Sequence, residues 1–153
     1  VLGDGVRSRM HQSLIVEQGI AASAGAYYRG SSLDDTPFVV YGTPRGEATI
    51  EDMEAALLAE IERIVEDGIT EAELTAVKRR FVRQAIFARD SQSGMARMFG
   101  VSLTTGSTVE DVLAWPERVY EVTPDQVREA AIRHLQGGPA VTGYLLPAEQ
   151  DPS

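Results

Sequence analysis

Cysteine is absent from this sequence, and histidine occurs only twice. The absence of cysteine excludes a thiol nucleophile, a disulfide and a Cys-based zinc site. His11 and His134 lie far apart in the sequence, and neither H-x-x-E-H nor H-E-x-x-H is present. No serine stands in a G-x-S-x-G motif. We therefore expect no catalytic residue and no metal ligand in this chain.

Long apolar runs and an excess of positive charge are missing as well. No run approaches the roughly 20 apolar residues that a membrane-spanning helix needs, so we expect no membrane insertion. The 14 basic and 23 acidic residues give a net charge of −9, which disfavours binding to nucleic acid or to an anionic membrane surface. The start has neither an initiator Met nor a signal-peptide pattern, so we expect a fragment or a processed product.

The composition is otherwise typical of one globular domain. We predict a domain over residues 1–147 and a polar tail over residues 148–153. Apolar periodicity, capping residues and glycine stops predict helices over residues 6–18, 49–68, 70–89, 91–103, 108–115 and 123–136. The helix that begins at Thr108 should end at Trp115, because proline disfavours helix in the residue before it. Apolar and aromatic runs predict strands over residues 20–29, 37–43 and 140–146.

The order of these elements predicts the fold class. The first two strands are joined by a short turn-rich loop, so they should form an antiparallel hairpin. Strands that are separated from the helices indicate an α+β fold, in which helices pack on one face of a mainly antiparallel sheet. Three strands are few for such a layer. We therefore expect that the domain lacks its N-terminal strands here and that these belong to a preceding portion of the protein.

One basic cluster stands out in this acidic chain, formed by Lys78, Arg79, Arg80 and Arg83. At helical spacing, Arg79 and Arg83 lie on one face of the helix. That face either meets an acidic partner or a substrate carboxylate, or it is simply solvated. A solvated face is the more common outcome for such a run, and two glutamates lie about one turn away to balance it.

Several motifs together resemble the pitrilysin/insulinase family of zinc metallopeptidases, the inverzincins. L-G-D-G-V-R-S-R-M at residues 2–10 is similar to the family's L-G-G-G-x-x-S-R-L loop, and a strand of small residues follows Gly19, as in the family. D-G-I-T-E-A-E-L at residues 67–74 is similar to the turn before the family's long basic helix. V-T-P-D-Q-V at residues 122–127 and A-V-T-G-Y-L-L-P at residues 140–147 resemble the penultimate helix and the closing strand. The resemblance covers about residues 1–147.

The resemblance implies a domain with the fold of mitochondrial processing peptidase. Enzymes of this family have two homologous halves that close around an unfolded peptide. The N-terminal half binds zinc through H-x-x-E-H and a distal Glu, and zinc and the motif Glu activate water for peptide hydrolysis. The C-terminal half lacks the zinc motif and closes the chamber. This chain looks like the C-terminal half, so the cofactor, zinc, is expected only in the partner half.

The sequence departs from the family at two positions. Many C-terminal halves carry an Arg on the first helix and a Tyr seven residues later, which hold the substrate. The matching residues here are Ile15 and Ala22, whose side chains can neither donate a hydrogen bond nor carry charge. By strand alternation Tyr28 shares a face with Ala22, and it is our candidate for peptide contact. The alternative is that Tyr28 is a half-buried packing residue.

Two functions therefore remain open. The chain is either the non-catalytic half of a bilobal zinc peptidase, or a structural or peptide-binding module with no proteolytic activity. The expected partners are a catalytic H-x-x-E-H half, on the same polypeptide or on a second subunit, and a peptide substrate. Self-association is expected if apolar surface is left bare where further strands should pack. The family's habits and the lack of cysteine favour a bacterial periplasm or envelope over the cytoplasm.

Overall fold

The computed structural model describes residues 1–88 and 90–146. It contains an initial π-helix, two strands and five α-helices. In chain order these are the π-helix (His11–Glu17), β1 (Ala21–Tyr28), β2 (Phe38–Pro44), α1 (Ile50–Asp67), α2 (Glu71–Ala88), α3 (Gln92–Thr104), α4 (Val109–Glu121) and α5 (Pro124–Leu135). The predicted α+β class is confirmed.

The first helix begins later than predicted. Residues 3–8 form bends and turns, and helical geometry starts at Arg9. Gly5 has φ +84°, a conformation incompatible with a helix. The helix then widens to i→i+5 hydrogen bonds, as in the bond of 2.9 Å from Gln18 N–H to the Ser13 carbonyl. The prediction of a helix from Val6 was therefore wrong by about one turn.

The two strands form the predicted antiparallel hairpin. The register pairs Ala24 with Gly42 and Tyr28 with Phe38, and an irregularity in β1 falls between Ala21 and Ser23. The hairpin is the whole sheet of the described residues. One face of this sheet packs against α1, because a Cβ at Gly42 would lie only 2.8 Å from the Met53 side chain.

Thr residues begin four of the helices as the sequence predicted. Each threonine hydroxyl accepts the backbone N–H three residues later, and the side chain at that later position accepts the threonine N–H in return. The four pairs are Thr49 with Asp52, Thr70 with Glu73, Thr108 with Asp111 and Thr123 with Gln126. Such boxes are local in sequence, which is why helix starts were predicted more closely than other boundaries.

The predicted end of α4 was wrong. The helix α4 continues through Pro116 to Glu121, whereas we expected it to end at Trp115. Tertiary packing overrides the local preference there, since the Trp115 ring lies 6.3 Å from the Phe81 ring of α2. In addition, the Arg118 guanidinium donates to the Asp111 carbonyl at 3.0 Å, in the turn before the proline.

The predicted closing strand over residues 140–146 is also wrong, because these residues form no ladder with β1 or β2. A strand needs a neighbour to accept and donate its backbone hydrogen bonds. The side chains of the segment nevertheless alternate between contact with α1 and exposure to solvent. Thr142 and Tyr144 both donate to the Glu54 carboxylate of α1, at 2.8 and 2.6 Å, while Val141 and Leu145 are almost fully exposed.

The buried core is formed by residues of the first helix, β1, α1, the start of α2 and α5. Met10 and Leu14 of the first helix are fully buried and belong to the same apolar cluster as Met53 and Leu57 of α1. The core also contains the buried carboxylate of Glu60, which forms an ion pair with Arg63 one turn later. Arg63 donates in addition to the Ser13 hydroxyl at 3.1 Å, so it links α1 to the first helix. No helix of the described residues is both long and apolar enough to cross a membrane.

Candidate functional site

The hairpin has one face packed on helices and one face open to solvent. Ala24, Ala26 and Val40 lie on the packed face and contact the core. The opposite face carries the side chains that alternate with these along both strands. We call it the tyrosine face, and it consists of Ser23, Tyr27, Val39, Tyr41 and Thr43.

Two partly exposed aromatic rings dominate the tyrosine face. Tyr27 and Tyr41 are 47% and 49% exposed, and their ring centroids lie 6.4 Å apart at a tilt of 52°. Beyond them, the Ser23 hydroxyl donates to the Thr43 hydroxyl at 3.0 Å. Tyrosine offers both apolar area and a hydroxyl, which suits contact with another polypeptide. This pair was not predicted from the sequence, although the register of the hairpin is enough to place the two rings on one face.

Tyr28, the candidate from the sequence, lies at the end of β1 and is 60% exposed. Its pairing with Phe38 places it on the same face of the hairpin as Ala24 and Ala26. It is therefore accessible for peptide contact, but from a different side than Tyr27 and Tyr41.

The two positions that match the family's substrate clamp carry apolar side chains in different surroundings. Ile15 is half-buried in the π-helix and packs against the core. Ala22 is exposed at the irregularity of β1. Neither side chain can donate a hydrogen bond. Tyr28 lies at the opposite end of β1 from Ala22, so its hydroxyl does not replace the family's tyrosine there. Any polar contact to a peptide has to come from other residues.

A second feature is a groove of about 870 Å³ between the loop at residues 4–8 and α2. We call it the basic groove. Its charged side chains are mainly arginines, and its walls also carry exposed apolar residues. These residues include Arg7, Arg79, Arg80, Arg83, Val6 and Phe87. The helical part of this cluster was predicted from the sequence, but the loop wall was not.

An ion pair between Arg80 and Asp4 connects the two walls of the basic groove. The Arg80 guanidinium donates to the Asp4 carboxylate at 2.6 Å and to the Asp4 carbonyl at 2.7 Å, across 76 positions of sequence. Gly5 leaves room for this contact, since a Cβ there would lie 2.5 Å from Nη1 of Arg80. The loop wall and the helix wall are thereby held together.

The acidic residue at the inner end of the groove is already neutralised. Arg9 forms a bidentate pair with Glu73, with distances of 2.7 and 3.0 Å, and also donates to the Gly68 carbonyl at 3.0 Å. The Arg9 guanidinium, together with the Thr70 backbone and hydroxyl, lowers the pKa of Glu73 to about 2. Glu73 therefore pairs with Arg9 and forms no ion pair with Arg79 or Arg83.

Within residues 1–88 and 90–146, no three His, Cys, Asp or Glu side chains are arranged to hold a metal ion. His11 is half-buried in the π-helix, and His134 is exposed in α5. The two histidines stay on separate elements, so no site is built from them.

The family described as the Peptidase M16 inactive domain matches residues 1–81, from the loop at Gly3 through the hairpin to α2. The chain belongs to this family. The resemblance inferred from the motifs is therefore confirmed, and the part of the family that matches this chain is its inactive domain.

The fold of this M16 domain is also found in a solved structure. The crystal structure of a protease from Helicobacter pylori superposes with a TM-score of 0.77 over 88% of this chain, at 17% sequence identity. The chain spans only 32% of that protease. At this identity the likeness concerns the fold alone. Among curated proteins, no sequence match is found.

Proposed function

We propose that this M16 domain is the closing half of a bilobal zinc peptidase and that it covers unfolded peptides while the partner half hydrolyses them. The observation that carries the proposal is the match of the family's inactive domain to residues 1–81. In the proposal, zinc and the general base belong to an H-x-x-E-H half. This chain supplies a wall and peptide contacts.

The tyrosine face and Tyr28 are the proposed peptide contacts. Arg and Tyr are replaced by Ile15 and Ala22 at the family's clamp positions, so retention of a peptide has to use other donors. Tyr27, Tyr28 and Tyr41 each combine a partly exposed ring with a hydroxyl. A bare sheet face with aromatic side chains is a surface on which an extended peptide gains both apolar contact and hydrogen bonds.

The test is a peptidase assay on the full-length polypeptide with an unstructured peptide of about 20–30 residues, long enough to span ~70 Å or more when extended. We expect cleavage that a zinc chelator abolishes and added zinc restores. Replacement of Tyr27 and Tyr41 by Ala should lower kcat/KM by about tenfold, which corresponds to ~1.4 kcal/mol. Tyr120→Ala, on α4 and away from the hairpin, is the matched control and should leave kcat/KM unchanged.

A second function is favoured by one observation, the loss of the clamp at Ile15 and Ala22. In this alternative, the domain binds peptides or supports assembly, and no half of the protein is proteolytic. Absence of cleavage with zinc supplied, combined with retained peptide binding that the tyrosine variants weaken, would select this alternative.

A further inference from the structure

The basic groove concentrates positive charge in a chain that is otherwise strongly acidic. The chain carries a net charge of −9, yet four arginines line this one groove. Arg80 is paired with Asp4, and the groove's other carboxylate, Glu73, is paired with Arg9. Arg7, Arg79 and Arg83 form no ion pair with any carboxylate of the described residues. The groove therefore presents three uncompensated guanidinium groups.

The same groove has an apolar side. Phe87 at the end of α2 is 70% exposed, and Val6 on the loop wall is 67% exposed. Exposed apolar residues within a charged groove mark a surface that contacts a ligand rather than one that is only solvated. A ligand that fits has carboxylates for the arginines and at least one apolar side chain for Phe87 and Val6.

The shape and spacing favour a linear segment. A concave groove of about 870 Å³ accommodates a chain segment, whereas a folded domain presents a broad and flat surface. Arg79 and Arg83 are four residues apart on α2, so their Cβ atoms lie about 6 Å from each other. In an extended peptide, side chains two residues apart lie on the same side and are ~6.6 Å apart. Carboxylates at alternate positions therefore match the two arginines.

We infer that the basic groove binds an extended acidic peptide in trans, with carboxylates at alternate positions next to an apolar residue. Guanidinium–carboxylate hydrogen bonds from Arg79 and Arg83 hold the alternate carboxylates, and Arg7 faces them from the loop wall. The Arg80–Asp4 pair is a positioning contact that keeps the two walls together. The inference deepens the proposed function by naming the class of substrate that the closing half retains, but the binding step itself requires no proteolysis.

The experiment measures binding and not cleavage. A fluorescent peptide of 12 residues, with two pairs of alternating Asp or Glu and one Leu, is titrated with the full-length polypeptide by anisotropy in the presence of a chelator. The same peptide with Asn and Gln in place of the acids is the ligand control. We expect the acidic peptide to bind at least tenfold more tightly, and its affinity to fall when salt is raised and the Debye length shrinks from about 10 Å to about 3 Å.

Charge reversal identifies the groove. Arg79→Glu with Arg83→Glu should weaken binding of the acidic peptide at least tenfold and abolish its preference over the neutral peptide. Arg97→Glu on α3, which makes the same type of change outside the groove, should have no effect beyond twofold. Circular dichroism checks that each variant is folded, and Arg79→Gln with Arg83→Gln replaces the pair if charge reversal prevents folding.

Three results would overturn the inference. These are equal affinity for the acidic and neutral peptides, unchanged affinity in the double variant, or a double variant that alters oligomeric state or the association of the two halves without altering peptide affinity. The last result would make the groove an interface between folded domains. Cleavage of peptides without any preference for acidic ones would contradict the inference about the basic groove but leave the proposed peptidase function intact. Binding of the acidic peptide without any cleavage would support the inference and contradict the proposed peptidase function.

Discussion

Arg9 and Glu73 join the start of the first helix to the first turn of α2 through a bidentate ion pair, although 64 positions separate them in the sequence. Glu73 also completes the capping box with Thr70, so a single carboxylate serves both a tertiary contact and a helix start. Both partners are partly shielded from solvent, so salt screens this pair less than it screens a fully exposed one.

The Arg9–Glu73 pair predicts an acid-sensitive contribution to stability. The folded-state pKa of Glu73 is about 2, below its ordinary value of 4.5, so the pair contributes fully above pH 4.5 and its contribution is lost as the pH falls towards 2. Glu73→Gln keeps a capping residue at this position. It should lower the free energy of unfolding by about 1 kcal/mol at pH 7, a value already reduced for partial exposure.

The measurement is urea unfolding of both proteins between pH 7 and pH 2.5, and the difference between them should shrink as the pH falls below 4.5. Glu129→Gln is the control, because its ion pair with Arg133 is exposed and lies within one helix, where such pairs contribute about 0.3–0.5 kcal/mol. A difference for Glu73→Gln that is constant over this range would contradict the assigned role of the ion pair.

A comparison of Gly5→Ala with Gly46→Ala separates the cost of backbone strain from the cost of displacing the Arg80–Asp4 pair. Both have positive φ, +84° and +67°, but only Gly5 would place a Cβ against Arg80. Alanine should cost about 1 kcal/mol at either position through backbone strain. Gly5→Ala should lower the free energy of unfolding by more than Gly46→Ala does, because it also displaces the Arg80–Asp4 pair. It should also weaken binding of the acidic peptide. Equal losses of stability and unchanged peptide affinity in both variants would show that the loop wall does not depend on this contact.

The exposed apolar residues of the segment 140–146 should make the isolated chain self-associate. Val141, Leu145 and Leu146 are strongly exposed, and the segment forms no ladder with the hairpin. Exposed apolar strand-like segments associate with other chains. Sedimentation of the 153-residue chain should show concentration-dependent association, which Val141→Lys with Leu145→Lys reduces. Leu33→Lys, at an exposed residue of the hairpin loop, is the control. A strictly monomeric chain would reject the prediction.

Local signals explain which parts of the fold could be predicted. The threonine boxes at Thr49, Thr70, Thr108 and Thr123 lie within four residues of sequence, so helix starts were found closely. The hairpin was found because alternating β-branched and aromatic residues flank a short loop. The predicted helix end before Pro116 and the predicted strand over residues 140–146 were wrong. Packing of Trp115 on Phe81 and the presence of a neighbouring strand both depend on residues distant in the sequence.

The candidate sites divide in the same way. Arg79 and Arg83 were recognised as one helix face because their spacing is local. The loop wall of the groove was not, because the Arg80–Asp4 contact spans 76 positions. Tyr28 remains a prediction for peptide contact. Tyr27 and Tyr41 were not predicted as a pair, because their proximity depends on the pairing register of the two strands.

The most direct test of the central claim uses the isolated chain and a catalytic H-x-x-E-H half, each purified after treatment with a chelator and then supplied with zinc. Zinc content is measured by mass spectrometry, and cleavage of an unstructured peptide is measured for each half and for the mixture. We predict that this chain retains no stoichiometric zinc and cleaves nothing alone, and that the mixture cleaves the peptide faster than the catalytic half alone. Stoichiometric zinc in this chain, or cleavage by it alone, would contradict its assignment as the non-catalytic half.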